Sequence, residues 1–471
     1  MSKKKELLKN TFIIFVGKTS TQLISFFLLP LYTAYLSKAE YGIVDLIQTY
    51  VTLLVPIISL QSGMSLFRAL VDSREDNKKS GNLIKNNFYI IFIMLLIFSI
   101  LYFIFCLFVD IPYKLLIYFT VIACVLSDDL LQVARGIGDN LDYSISCIIT
   151  GIVTIVSNII LICFLGYRDD GMIFSLGFAN LVCSIYLFIK LKLYKHIKIF
   201  DYDKSIVKKM LKYSLPLVPN STCWWIINAS NRSIVSHILG TAFNGIYAIS
   251  NKFPTILSAF LGIFNLSWSE SSALHINARD RESFFSETID SALKLFGSIG
   301  LLLITFMPFI FPIFINQKFA EAINYIPILV LAYVFNVVIV LYTGIYIGLK
   351  KTKEVTTTTV IGAITNVLIA LLFVKRFKLY AAAFATFMAY FVMMIYRVID
   401  LKRYMKITYS KRTIISLIIS FTIAIFFYYL DNLYFDIAIA FISLIYVYYI
   451  NRGFIKDILD GIKSRLIRFK N

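Results

Sequence analysis

Residues 87–109, NFYIIFIMLLIFSILYFIFCLFV, form an apolar stretch without a single charged side chain. About 20 such residues in an α-helix cross a ~30 Å hydrocarbon layer, so the stretch is typical of a transmembrane helix. The whole 471-residue chain has the same character, because 59% of its residues are hydrophobic and 15% are charged. This composition predicts an all-α polytopic membrane protein and argues against a soluble enzyme, a nucleic-acid binder or a secreted disulfide scaffold.

Apolar stretches of spanning length recur and predict about 14 transmembrane helices. They cover residues 11–36, 43–69, 87–109, 115–134, 145–166, 172–190, 213–239, 245–273, 289–315, 323–349, 356–374, 380–400, 413–430 and 436–450. The loops between them are too short for a catalytic domain, and the three histidines and six cysteines lack metal-ligand or disulfide spacing. We therefore expect no enzymatic activity, no cofactor, no metal site and no nucleic-acid partner.

Lysine and arginine are distributed very unevenly between the two sides of the predicted membrane. Of the 46 basic residues, 35 lie at the termini or in the loops on the same side, and seven lie in the opposite loops. Because short cytoplasmic loops carry the excess of positive charge, both termini are predicted to be cytoplasmic. The other four cations, Lys18, Arg232, Lys252 and Lys294, lie inside predicted spans. Lys294 is expected to reach the cytosol beside Asp290.

An internal repeat at an offset of 203 residues links the two halves of the chain. It places Lys9 on Lys212 and Gly42 on Gly245 without a gap. Six spans in each unit would make the repeats run in the same direction, related by a pseudo-two-fold axis along the membrane normal. We therefore predict six-helix bundles at 1–203 and 204–406, followed by helices 13 and 14 and a basic tail at 407–471.

The first and seventh spans are the most polar of their halves, and their polar stripes coincide under the repeat. Residues at positions i, i+4 and i+7 lie on one face of a helix. The matched residues are Lys18, Gln22 and Ser25 in the first span and Ser221, Trp225 and Asn228 in the seventh. Arg232 continues the second row. Since polar groups are costly in lipid, we expect both rows to face a common water-filled cavity.

The charged residues far inside predicted spans each have two interpretations. Arg232 lies roughly 10 Å below the outer end of its helix, from a rise of about 1.5 Å per residue. Arg232 and Lys252 are candidates for binding an anion or, alternatively, for an ion pair with Asp45. Asp128, Asp129 and Asp45 are candidates for ion coupling. Alternatively, Asp128 and Asp129 pair with Arg68 or Arg135. Lys18 either receives an anion from the cytosol or extends to the interface.

Several segments resemble the polysaccharide-biosynthesis flippase family, the O-antigen and capsule repeat-unit translocases of the multidrug/oligosaccharidyl-lipid/polysaccharide exporter superfamily. The segments are 9–11 (KNT), 29–33 (LPLYT), 39–42 (AEYG), 62–64 (SGM), 67–68 (FR), 213–219 (YSLPLVP), 231–232 (NR), 245–247 (GIY) and 382–386 (AAFAT). The chain departs from the family at Asn231, where an Asp is common. It also carries Gln22 where the family often has a lysine, and Lys18 lies one turn earlier.

The resemblance implies two six-helix bundles in a V shape that alternates between inward-open and outward-open states, as in MATE transporters. It also implies a substrate, an oligosaccharide repeat unit on undecaprenyl pyrophosphate, moved from the inner to the outer leaflet of the bacterial cytoplasmic membrane. A polysaccharide polymerase and glycosyltransferases are the protein partners that such a flippase would serve, with membrane lipids around it.

Physical chemistry fits that substrate. A pyrophosphate diester carries about two negative charges, whose transfer through bare hydrocarbon is prohibitive. We expect Arg232 and Lys252 to bind the pyrophosphate in the outward half, and Lys18 to receive it from the cytosol. Sugars would contact the cavity residues Gln22, Ser25, Ser221, Trp224, Trp225 and Asn228. The alternatives are a peptidoglycan-precursor flippase and a multidrug cation antiporter of the same fold. A polymerase or sugar transferase lacks a visible catalytic loop.

Overall fold

The computed structural model describes residues 17, 24, 26–74, 76–196 and 202–470, and within these ranges every regular element is helical. The first helices are α1 (Leu29–Tyr35), α2 (Lys38–Ile58), α3 (Ser62–Val71), α4 (Asn77–Phe108), α5 (Lys114–Ile137), α6 (Asn140–Asn158), α7 (Asp169–Lys190), α8 (Lys204–Ser214) and α9 (Leu217–Leu239). They are followed by α10 (Thr241–Lys252), α11 (Pro254–His275), α12 (Arg281–Phe314), α13 (Ile326–Gly348), α14 (Thr352–Phe377), α15 (Leu379–Leu401), α16 (Lys411–Tyr428) and α17 (Leu433–Lys470).

The helices cluster into two compact units, Met1–Gly245 and Ile246–Asn471. In the first unit, α5 packs against α7 and α3, and α2 packs against α9. In the second unit, α15 packs against α14 and α13, and α12 contacts α13, α16 and α17. The polar helix α9 therefore belongs to the N-terminal compact unit. The predicted division places six-helix bundles at 1–203 and 204–406 and the last two helices with the tail at 407–471. It follows the sequence repeat and stays a prediction.

Eleven stretches among the described residues are long and apolar enough to cross a membrane, which makes the chain a multi-pass membrane protein. The prediction of about 14 helices includes three more stretches. The first, 11–36, lies largely outside the described residues. The seventh corresponds to α9, which is 23 residues long but too polar to qualify. The eighth is divided at Phe253 and Pro254 into α10 and α11.

The distribution of buried residues fits a bilayer environment. In α4 only 11% of the most apolar window is buried, and Leu107 and Phe108 near its end are more than 80% exposed. Exposed apolar surface of this extent is stable in lipid and not in water. The stretch Gln317–Gly348 is the opposite case, since 72% of its apolar window is buried. It forms the packed centre of the second unit.

Two glycines allow α2 and the first turn of α10 to cross at backbone contact within the N-terminal unit. A Cβ atom on Gly42 would overlap the carbonyl oxygen of Thr241, and a Cβ atom on Gly245 would overlap that of Lys38. The amide of Asn244 also donates to the Gly42 carbonyl at 2.8 Å. Residues 38 and 241, like 42 and 245, are separated by the repeat offset. The contact thus joins positions that the predicted repeat relates to each other.

The remaining in-span residues can be compared with the sequence predictions. Lys294 pairs with Asp290 at 2.6 Å, so it lies beside that acid as expected. Its reach to the cytosol stays a prediction. All six cysteines are free, as the absence of paired spacing predicts. Arg397, counted above with the loop cations, lies inside α15 and is completely buried. Its count among the loop cations was wrong, since the predicted span 380–400 already contains it.

Candidate functional site

Helix α9 is held against α2 by its polar residues. The helix follows Pro216 and ends at Gly240, whose φ of 100° is a left-handed conformation that glycine adopts readily. Helix α2 begins with a capping box, in which Ser37 and Glu40 bond each other's backbone amides. These two local signals fix where each helix begins or ends, and therefore which residues face each other between them.

Arg232 and Asp45 form the charged centre of this contact. The guanidinium Nη1 of Arg232 lies 3.3 Å from Oδ1 of Asp45 and donates to the Thr49 hydroxyl at 3.1 Å. The Thr49 hydroxyl donates in turn to the Asp45 backbone carbonyl at 2.7 Å. The Asp45 side chain is 4% exposed and the Arg232 side chain 21%. The acid is thus enclosed, whereas the Arg232 side chain is partly exposed.

The rest of the predicted stripe on α9 largely packs on α2 and the turn that follows it. Trp225 donates its indole N–H to the Thr49 carbonyl at 2.8 Å, and its ring lies 6.1 Å from that of Tyr50. Ser221 accepts a hydrogen bond of 3.1 Å from Gln61. Asn228 is exposed and donates to the Trp224 carbonyl at 2.8 Å. Trp225 and Ser221 therefore attach α9 to α2 and to the turn that follows it. Asn228 is exposed, and Arg232 is partly exposed.

The other predicted cavity residues are placed as follows. Trp224 is half-buried on α9. Lys252 is half-buried at the end of α10, in the second compact unit. Lys18, Gln22 and Ser25 lie outside the described residues. The roles of all these residues in substrate binding stay predictions.

The acids of α5 differ sharply from each other. Asp129 is 2% exposed, and the Asn87 amide lies 2.8 Å from both of its carboxylate oxygens. Asp128, by contrast, is exposed. Within the described part of the chain neither acid has a basic partner within 4 Å, because Arg68 pairs with Asp72 and Arg135 bonds Gln132. No direct ion pair with Arg68 or Arg135 is therefore seen among the described residues, and the ion-coupling role of these acids stays a prediction.

Thr49, Tyr50 and Gln61 are site residues that the sequence reasoning missed. A signal existed, since Asp45 and Thr49 lie at i and i+4 and so share a face of the second span. Gln61 could not be found in this way, because a left-handed residue pair, Leu60 and Gln61, ends α2 and redirects the chain. No group of three metal-ligating side chains is present in the described ranges.

The site can bind an anion. A guanidinium presents several N–H donors in a plane, and phosphate oxygens are preferred acceptors for it. The fold around this site is that of solved membrane transporters, as three comparisons show.

The lipid II flippase MurJ, in an inward-closed conformation, is 16% identical, with a TM-score of 0.66 over 94% of this chain and 100% of that chain. An inward-facing multidrug resistance MATE family transporter of the MOP superfamily is 12% identical, with a TM-score of 0.67 over 83% and 98%. A MOP superfamily transporter from Pyrococcus furiosus, reported with a binding pocket of reverse polarity, is 13% identical, with a TM-score of 0.58 over 85% and 96%.

These likenesses define a multi-pass membrane protein with the fold of MOP superfamily transporters. The family follows from the sequence itself. A profile of polysaccharide biosynthesis proteins matches residues 7–269, more than half of the chain. The chain belongs to the polysaccharide biosynthesis protein family. No curated protein sequence matches it significantly.

Proposed function

We propose that the protein is a flippase for an undecaprenyl-pyrophosphate-linked oligosaccharide. It moves the repeat unit from the cytoplasmic to the outer leaflet of a bacterial cytoplasmic membrane by alternating access, with both termini in the cytoplasm. Glycosyltransferases supply the substrate, and a polymerase consumes it for capsule, O-antigen or exopolysaccharide synthesis. The family membership and the MurJ-like fold support transport of a lipid-linked substrate.

The observation that carries the proposal is the Arg232–Asp45 pair. A guanidinium in the membrane is costly unless its charge is compensated. Here Asp45 compensates it and is enclosed, whereas the Arg232 side chain stays partly exposed. A pyrophosphate arriving at that side chain gains charge-assisted hydrogen bonds from a donor that α2 already holds in place.

The same geometry supplies a route to ion coupling. When the guanidinium of Arg232 binds the pyrophosphate, it no longer compensates the charge of Asp45. The enclosed carboxylate then needs another counter-charge. A proton or a sodium ion can provide it, and leaves when the substrate departs and Arg232 returns to Asp45. Asp129 is a second candidate for this role because its carboxylate is buried beside a neutral amide. Lys18 receives the pyrophosphate from the cytosol, and Arg232 and Lys252 bind it in the outward half.

The test is complementation of polymer export in a strain that lacks the gene. Arg232→Gln is expected to abolish export while the protein still accumulates in the membrane, because a neutral amide cannot replace the charge. Arg168→Gln is the matched control, since Arg168 makes an ion pair with Glu40 but is 62% exposed. Full export by the Arg232 variant would refute the proposal, as would equal losses in the two variants.

A lipid II flippase is the second candidate, favoured by the match over 94% of this chain to MurJ. It predicts that depletion of the protein stops growth, whereas a capsule or O-antigen flippase is dispensable in most conditions. A cation antiporter of the MATE type predicts drug sensitivity on deletion. Growth and drug-sensitivity assays on one strain depleted of the protein therefore separate all three.

A further inference from the structure

A second cationic pocket lies between α3, α4 and α8, apart from Arg232. Its volume is about 360 Å³, within the range of about 300–1,000 Å³ that small-molecule sites occupy. Its polar lining includes Arg68, Asp72, Lys79, Asn82 and Lys209, and Leu83 and Met210 form its apolar floor. Nothing in the flipping mechanism above uses these residues.

Three separate helices supply the charge of this pocket. Arg68 comes from α3, Lys79 from α4 and Lys209 from α8. The one acid in the lining, Asp72, lies 3.5 Å from Arg68, and both side chains are 60% exposed. Such exposed pairs are weak, so Asp72 does not neutralise the pocket. A multivalent anion therefore meets two more cations than acids.

Helix α8 is fixed in position, which makes the pocket a built feature. Its Met210 is 3% exposed, inside the apolar cluster that also contains Leu83. Before the helix, the Asp203 backbone N–H donates to the Asn86 side chain at 2.7 Å. The rings of Tyr202 and Tyr89 stack with centroids 4.0 Å apart. Lys209, next to Met210, is thereby held at the pocket rim.

The composition of α8 indicates that it lies at the membrane surface. Its sequence, KSIVKKMLKYS, directs apolar residues into the cluster and leaves its lysines exposed. A short helix with an apolar face and a lysine-rich face is typical of the interface. Both loops that border the pocket belong to the predicted cytoplasmic side, where anionic lipid headgroups accumulate.

We propose that this pocket binds the phosphate or pyrophosphate headgroup of an inner-leaflet lipid and loads the lipid-linked substrate into the flippase. The role in loading rests on the proposed function, whereas headgroup binding does not. Lys79 and Lys209 neutralise the phosphate charge and Asn82 donates to its oxygens, while the apolar floor at Leu83 and Met210 contacts the first part of the lipid chain.

The experiment measures binding by the purified full-length protein in an uncharged detergent, with farnesyl pyrophosphate and phosphatidylglycerol as separate probes and phosphatidylcholine as a neutral reference. The double variant Lys79→Gln/Lys209→Gln is expected to weaken binding of at least one anionic probe by about tenfold. The control, Lys208→Gln/Lys212→Gln, removes two exposed lysines of α8 that do not line the pocket. It is expected to stay within twofold of the wild type.

Equal weakening by both double variants would overturn the proposal, because it would indicate general attraction to a basic surface. No weakening by the pocket variant would overturn it as well. Selective loss for farnesyl pyrophosphate identifies the isoprenoid substrate as the source of the headgroup, and loss for phosphatidylglycerol identifies bulk lipid. The Arg232→Gln export assay is independent, so the pocket and the flippase proposal can fail separately.

Discussion

Asp45 and Arg232, 3.3 Å apart on α2 and α9, differ in accessibility, with side chains 4% and 21% exposed. The pair is therefore asymmetric. Loss of the cation leaves an enclosed carboxylate without a counter-charge, whereas loss of the acid leaves a cation that water can still reach. The consequences for stability should differ accordingly.

We expect Arg232→Gln to lower the free energy of unfolding by about 3 kcal/mol, the cost of stranding a buried charge. Asp45→Asn should cost roughly 1 kcal/mol, since Thr49 remains as a partner of Arg232. The double variant should be more stable than Arg232→Gln alone. Thermal unfolding of the four purified proteins measures this cycle, and additive effects would contradict the coupling.

The crossing of α2 and α10 predicts that Gly42→Ala and Gly245→Ala each destabilise the protein. The added methyl group meets a backbone carbonyl oxygen in both cases, so the helices must separate, at a cost of about 1–3 kcal/mol. Gly262→Ala on α11 is the control, because a Cβ atom there meets nothing within 4 Å. Equal melting temperatures for all three variants would refute the prediction.

A substitution of Asp129 is expected to change ion coupling without lowering the stability of the fold. Asp129→Asn keeps the hydrogen bond with Asn87 and removes a buried charge, so the melting temperature should not fall. If Asp129 carries the coupling ion, transport by this variant loses its dependence on a proton or sodium gradient. Asp128→Asn, at the exposed neighbour, should retain that dependence. Gradient-driven transport in proteoliposomes checks this, and intact coupling in Asp129→Asn would exclude the residue.

Arg397 predicts a purely structural effect in the second unit. It is fully buried and donates to the Ile339 carbonyl at 2.7 Å and to the Thr358 hydroxyl at 3.0 Å, which ties α13 and α14 to α15. Arg397→Met should cost about 3 kcal/mol or more, because it strands acceptors that were bonded to a charged group. Arg403→Gln, at a site 75% exposed, is the matched control. The amount of protein in the membrane and its melting temperature are measured for both variants.

The composition and the length of the apolar stretches were sufficient to predict an all-helical membrane protein, because a bilayer forces the backbone into helices of known length. The segments 213–219 and 231–232 carried the family resemblance, which the family profile confirms. Hydropathy failed where helices are polar or broken. Helix α9 is too polar to count as a span, and Pro254 divides the eighth span into α10 and α11.

The candidate site was predicted only in outline. The sequence identified Arg232 and named Asp45 as an alternative partner, since an acid and a cation inside spans attract each other. Thr49, the residue that joins them, was missed although its i, i+4 spacing from Asp45 was a signal. Gln61 could not be identified as the partner of Ser221. Such pairs depend on the register between two helices 160 residues or more apart in sequence.

The sequence by itself determined the environment of this protein and the identity of its helices, because solvation by lipid acts on each segment separately. Tertiary structure alone decided which polar groups compensate one another. Asp45 is enclosed while Arg232 is partly exposed, and Asp129 is buried while Asp128 is exposed. These differences arise from packing between helices, and electrostatic energies inside a protein depend on that packing more than on residue type.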